Sequence, residues 1–495
     1  MHPSRAVSSI SSMGVVLAAL PLVLGSLVTP TIVAPPAVAA PGQTALASPQ
    51  ALPTAQIDGV VWDQAVVGNT VYAVGEFKNA RPAGAAAGEN ESPRFNAMAY
   101  DITTGALLDW APKVGGKVNA VEASADGSTL YLGGNFLSVN DEAVYGVAAV
   151  DTAGRRKPLA ASATGEVMDL EVSPDGSTLY MSGAFTQINS AARRRAAALD
   201  LKTQKLTGFA PAVDDSIVRS ITVAADNSAV AIGGSFRSVG GSSNGYGVAV
   251  LEKDGSLRQT NLTSVIRNAG QKSGIMNLKS DSRGFYGVAY SQEGAFEGMF
   301  RADWASGDIN LMADCHGDSY DVLPTKDVIY IAGHSHDCSN IGGFADGAEQ
   351  GIYHHAVGFS STATGTVGHN TAFGYTDYYG HPAPTQYDGF LPGFQNGTQT
   401  KSQQATWTVE GNDQYLVYGG EFVAVNGSSQ QGLVRFSMSG GDPGAKGADG
   451  DNGNNGDKGK DKKKKKKKDK ADWDNQDDWD WDDQDGNQGG DGWWW

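Results

Sequence analysis

Short alternations of apolar and polar residues, broken by Gly, Asp and Asn, fill the chain between residues 57 and 440. Period-two alternation predicts strands, because successive side chains of a strand point to opposite faces. Val118 to Ser124 alternates in this way and meets the turn Ala125-Asp126-Gly127. The same hairpin returns at Pro174-Asp175-Gly176 and at Ala225-Asp226-Asn227. Such residues supply the positive φ angles that a tight hairpin demands. The strand after each turn carries a recurring pattern, clearest in Leu130-Tyr-Leu-Gly-Gly-Asn-Phe136 and Val230-Ala-Ile-Gly-Gly-Ser-Phe236.

Seven segments align on that pattern, starting at Val71, Leu130, Leu179, Val230, Phe285, Ile329 and Leu416. Strand-bearing units recurring about every fifty residues predict a β-propeller. A third strand follows in each unit, as in Ala97 to Asp101 and Ala196 to Asp200, and a fourth ends near Trp110-Ala-Pro112. The expected fold is therefore all-β, a seven-bladed β-propeller with four-stranded blades over residues 57–440. The last unit lacks a clear fourth strand before Gly440, so residues 40–56 are expected to supply it and close the ring.

Four strings carry a resemblance: Ile57-Asp-Gly-Val-Val-Trp-Asp-Gln-Ala-Val-Val-Gly68, Asp314-Cys-His-Gly-Asp318, His334-Ser-His-Asp-Cys-Ser-Asn-Ile-Gly-Gly-Phe344 and Gly419-Gly-Glu-Phe-Val-Ala-Val-Asn-Gly427. From about Ile57 to Ser437 the chain resembles the secreted actinobacterial β-propeller proteins with delta-60 and YVTN-like repeats of the Tyr-x-Gly-Gly-x-Phe type. That family has no established activity. The resemblance implies a fold and export, not a reaction.

Composition narrows the partners. The formal net charge of −17 makes nucleic acid an unsuitable partner for the body of the protein. Gly at 65 of 495 residues fits a turn-rich β fold and not a helical bundle. Two cysteines exclude a disulfide-framework scaffold and a four-cysteine zinc site.

Both ends differ from the middle. Arg5, the apolar run from Met13 to Val28 and the small residues Ala37-Val38-Ala39 read as a signal peptide over residues 1–39. The alternative, a membrane anchor, needs about 20 apolar residues, and this run is shorter. Residues 441–461 form seven Gly-X-Y triplets, a collagen-like linker expected to be flexible, with a trimer as the alternative. Residues 462–495 combine a lysine run with an Asp- and Trp-rich stretch, a composition that predicts a disordered low-complexity tail. Its lysines suit anionic wall polymers and its indoles suit an interface or a sugar. This tail departs from the family resemblance.

Seven of the eight histidines lie between His316 and His381. The centre of the group is Cys315-His316-Gly317-Asp318 with His334-Ser335-His336-Asp337-Cys338. The turn Lys326-Asp327 pairs Thr325 with Val328. Extending that ladder sets Cys315 opposite Cys338, His316 opposite Asp337 and Asp318 opposite Ser335. A Cys315–Cys338 disulfide is expected in an exported protein. Alternation along an unbroken ladder would put His334, His336 and the cysteines on one face, and His316, Asp318 and Asp337 on the other. A single site of His316, His334 and His336 would need the ladder to break.

The insertion from about Ala372 to Thr400 adds Tyr378, Tyr379, His381 and Phe390 as candidate ligand contacts on the same end of the ring, or else as a lid. The expected function is a secreted, extracellular or cell-wall-associated binding module, monomeric, taking a cell-wall polymer, glycan or protein ligand. The rival is an extracellular metal-assisted hydrolase or lyase acting on polysaccharide. There His316, His334 or His336 would be ligand or base, and Asp318 or Asp337 would orient an imidazole. No cofactor is required by the first reading, and a divalent metal belongs to the second. Ala99-Tyr-Asp-Ile-Thr-Thr-Gly105 with Trp110 has the form of quinone-propeller repeats, but the same residues make an ordinary turn.

Overall fold

The computed structural model describes residues 46–213, 216–346, 352–402 and 404–438. The expected signal peptide, Gly-X-Y linker and Lys- and Trp-rich tail lie outside the described residues.

The described chain is all-β, with two short 3-10 turns as its helical content. Consecutive strands form antiparallel sheets that follow one another along the chain. Their first strands are Val60–Val67, Val114–Ala123, Val167–Val172, Val218–Val223, Ser273–Asp281, Ser319–Pro324 and Thr406–Gly411. Each first strand packs against the first strand of the next sheet, and Thr406–Gly411 packs against Val60–Val67. The sheets thus stand in a closed ring with the first strands around its axis, the arrangement of a β-propeller. They are called here the first to the seventh sheet. In the seventh, Thr406–Gly411, Tyr415–Gly420 and Leu433–Ser437 are joined by Ala51–Leu52 from the other end of the described chain.

The repeat pattern has a packing cause. Its first Gly faces the next sheet: a Cβ on Gly133 would sit 2.8 Å from Val167 Cγ1, and one on Gly419 would sit 2.6 Å from Val61 Cγ1. In these sheets a Cβ would crowd the neighbouring sheet, whereas the first, third, fifth and sixth sheets carry Val74, Ser182, Val288 and Ala332 at the same position. The terminal Phe of the pattern is buried in Phe136, Phe185, Phe236 and Phe422.

A second regularity escaped the sequence. Every first strand carries a register shift, at Val61/Asp63, Val118/Ala120, Val167/Asp169, Val218/Ser220, Ile275/Asn277, Ser319/Asp321 and Thr406/Thr408. A bulge adds one residue and re-aims the side chains around it. In three sheets the residue after the bulge is an Asp that stitches sheet to sheet. Asp63 accepts Val121 N–H at 2.8 Å, Asp169 accepts Ile221 N–H at 2.9 Å, and Asp321 accepts Val409 N–H at 2.8 Å. Below these, Lys279 bonds Glu410 at 2.8 Å near the axis.

Candidate functional site

The sixth sheet consists of Ser319–Pro324, Val328–Ser335 and His354–Ser360. Its first hairpin keeps the expected register from Pro324↔Ile329 to Asp321↔Ala332. The bulge at Tyr320 then shifts it, so Ser319 faces Gly333. Beyond that, His334 N–H donates to Asp318 O at 2.9 Å, and the expected Asp318–Ser335 pair does not form. At the end of the hairpin His316 and Asp337 do face each other in an isolated bridge. Cys315 and Cys338 form a disulfide across 23 residues, with both cysteines buried.

The broken ladder overturns the expected separation of the imidazoles onto two faces. One extra residue in a strand reverses which side the following residues occupy, and Gly317, at φ 107°, bends the chain again. As a result the His316 and His336 rings lie 6.2 Å apart, and the Tyr353 ring stands edge-on to both His334 and His336, at 5.3 and 6.0 Å. Tyr375 of the insertion stacks flat on His316, with 3.8 Å between centroids.

Each imidazole has a distinct setting. His334 Nε2 accepts Asp318 N–H at 3.2 Å, which leaves Nδ1–H to donate to Gln404 Oε1 at 3.0 Å. Its Nε2 also lies 4.0 Å from Asp318 Oδ2. Tyr320 O–H donates to Asp318 Oδ2 at 3.2 Å. His336 faces Asp346 at 3.8 Å, and burial holds its pKa below the ordinary value against the pull of that carboxylate. His316 is only 3% exposed, and its Nε2 has no hydrogen-bond partner among the described residues. Its Nδ1 lies 4.0 Å from Asp337 Oδ2, and burial lowers its pKa. Both rings are thus poised as neutral donor–acceptors near neutral pH.

Two carboxylic acids lie behind the imidazoles. Glu297, on the fifth sheet's connection, accepts Gly317 N–H at 2.7 Å. Burial, with Asp318 adding to it, pushes its pKa up to about 8. Asp314 accepts the Asn340 amide at 2.7 Å, and burial pushes its pKa up to about 7.

The other candidates separate from this group. Phe390 is fully buried in the core with Tyr330, Tyr418 and Phe436, so it is not a ligand contact. Tyr378 is buried edge-on against Phe296, where it anchors the insertion to the fifth sheet. Tyr379 stacks on His369 at 3.8 Å, and His369 bonds Asp377 at 2.9 Å, a separate exposed pair. His381 is half-buried, and its carbonyl accepts Val367 N–H at 2.8 Å. These corrections share one reason: a loop rich in aromatics must first bury them, and three of the four sit where the loop packs or folds on itself. Among the described residues no group of three or more His, Cys, Asp and Glu is disposed to hold a metal ion, the trio His316, His334 and His336 included.

Tyr320, Tyr353, Gln404 and Glu297 were not singled out from the sequence. One signal for the region was present. The slot filled by Phe in the regular units holds Ser291 in the fifth sheet and Ser335 in the sixth.

No family model matches the chain, and no curated protein matches it in sequence. Among solved structures it is similar to the WD40 β-propeller domain of Doa1, at 13% identity and a TM-score of 0.43, covering 78% of this chain and 96% of that one. It is also similar to the computationally designed Ika8 protein, at 14% identity and a TM-score of 0.39, covering 79% and 99%. The architecture given above follows from the strand pairing and not from these likenesses.

Proposed function

We propose that the protein is a secreted seven-bladed β-propeller, one of the actinobacterial group its repeats resemble, that binds a ligand at the cell envelope. The expected fourth strand is reduced to a single bridge in the first, fourth and sixth sheets. The ring of sheets and their cyclic packing support the blade count. The buried disulfide is compatible with an oxidising compartment. No helix among the described residues is long and apolar enough to cross a membrane.

The binding site in this reading is the end of the sixth sheet. The observation that carries it is His316: a buried imidazole, stacked by Tyr375, whose Nε2 lacks a protein partner among the described residues. A buried polar atom without a partner costs about 1–3 kcal/mol, and a ligand hydroxyl or amide would satisfy it. On the two strands of the same hairpin, Ser319 Oγ and Ser335 Oγ are buried and also lack a partner among the described residues.

The test is an array of glycans, wall polymers and envelope proteins probed with the full chain and with His316→Gln. The substitution keeps a polar side chain but removes the ring that Tyr375 covers. Loss of a bound spot with an unchanged melting temperature supports the site. Unchanged binding by the variant contradicts it.

A further inference from the structure

The bulges of the first strands do more than bend them. The extra residues of the first, fifth, sixth and seventh sheets are Trp62, Met276, Tyr320 and Trp407. These four side chains and Val60 form one apolar cluster, although the sheets that carry them stand around the ring. They therefore meet toward the axis. Trp62 and Trp407 rings lie 5.1 Å apart, and Trp407 and Tyr320 rings 4.4 Å apart.

Tyr320 and Trp407 are buried and Trp62 is half-buried, so Trp62 presents the accessible face of an aromatic shelf that continues into the imidazole site. Tyr320 is 6.1 Å from His334 by ring centroid, and His334 is 5.3 Å from Tyr353. Polar groups edge the shelf. Lys117 Nζ lies 5.9 Å from the Trp62 ring and pairs with Glu166 at 2.8 Å. Trp407 Nε1–H donates to Glu421 at 3.4 Å, and Tyr320 O–H donates to Asp318.

We propose that the ligand of this end is an uncharged saccharide chain that passes over the imidazoles and stacks one of its rings on Trp62, the accessible member of a shelf backed by Trp407 and Tyr320. The proposal rests on the reading that the sixth-sheet end is a binding site. Aromatic faces accept the apolar C–H face of a pyranose. A sugar hydroxyl both donates and accepts, which matches an edge of ammonium, amide and imidazole donors mixed with carboxylate acceptors. A polyanionic chain meets Asp318, Asp337 and Asp346 at the rim and a protein of net charge −17. At the Trp62 face itself, the place a cationic group would take is already held by Lys117, which is paired with Glu166. Neutral sugar is the class that neither charge opposes.

The full chain is titrated with cellotetraose, chitotetraose and tetragalacturonate, and tryptophan fluorescence is read for the wild type, Trp62→Ala, Trp62→Phe and His336→Ala. Saturable binding of a neutral tetrasaccharide is expected, with none of the uronate. Trp62→Ala should lose about tenfold or more in affinity, while Trp62→Phe, which keeps an aromatic face and the packing, should retain most of it. Equal or tighter uronate binding overturns the proposal, as does unchanged affinity in both Trp62 variants or no binding of any saccharide at millimolar concentration. Saccharide binding that needs Trp62 but ignores His336 would uphold the shelf and remove the imidazole end from the site. An array ligand lost with His316→Gln, with no saccharide bound, would do the reverse.

Discussion

The third and sixth sheets are built from the same repeat and end differently. In the third, the strand Thr178–Gly183 runs into Ala184 and Phe185, and Phe185 is fully buried with Val167, Leu179 and Ile188. In the sixth, the corresponding residues are His334 and Ser335. There the Cys315–Cys338 disulfide lies in the core beside Ile329, Val357 and Phe359. A covalent link stands in for a buried ring. The end of the third sheet is therefore closed by an apolar plug, while the end of the sixth keeps its shape without one. That leaves room for imidazoles, a His316 Nε2 without a partner among the described residues and a covering Tyr375, so chemistry is found where the repeat departs from itself.

Breaking the two anchors tests this equivalence. Phe185→Ala removes a fully buried ring and should cost about 3–5 kcal/mol in urea unfolding. The double variant Cys315→Ser, Cys338→Ser should cost about 2–4 kcal/mol. Its hydrogen exchange should rise at the sixth-sheet hairpin and stay unchanged at the third. A double variant as stable as the wild type would show that the hairpin is held by other contacts.

The pH profile sharpens the comparison. Glu297 has its pKa raised from 4.5 to about 8 in the folded protein, so its proton stabilises the fold. That contribution is complete below the unfolded value and is lost as pH rises through about 8. His316 and His336 act in the opposite sense, because burial lowers their pKa. Their contribution is present above 6.5 and lost as pH falls through the folded values. Glu297→Gln keeps an acceptor for Gly317 N–H and removes the titration. The variant should gain melting temperature over the wild type as pH rises from about 5 to about 8. A constant difference across that range would mean that Glu297 is not held protonated.

The smallest stability effect is expected at His336→Ala. Its ring is at the rim, with 21% of the side chain exposed, and the disulfide still holds the hairpin. The cost should be under about 1 kcal/mol. A loss as large as that of the cysteine variants would make the ring structural filling.

Much of the fold was legible because it rests on local rules. Period-two alternation, Asp-Gly turns and the Gly-Gly of the repeat act within one hairpin or between nearest sheets. Pairing of Cys315 with Cys338, and of His316 with Asp337, also followed from a turn and a count along two strands. The bulge at Tyr320 lies between the turn and those pairs and leaves no mark in composition, so the sides taken by His316 and His334 could not be read. Tyr375 and Phe390 show the same limit. They belong to one aromatic insertion, yet one covers an imidazole and the other fills the core with Tyr418 and Phe436. Contacts between distant segments decide which does which.

The most direct test of the central claim is a binding comparison of His336→Ala with Phe185→Ala at a temperature where both are folded. Any ligand bound by the wild-type chain should lose about tenfold or more in affinity with His336→Ala, despite its near-native stability, and should bind Phe185→Ala as tightly as the wild type. Full affinity in His336→Ala together with weakened binding in Phe185→Ala would contradict the assignment and move the site away from the sixth sheet.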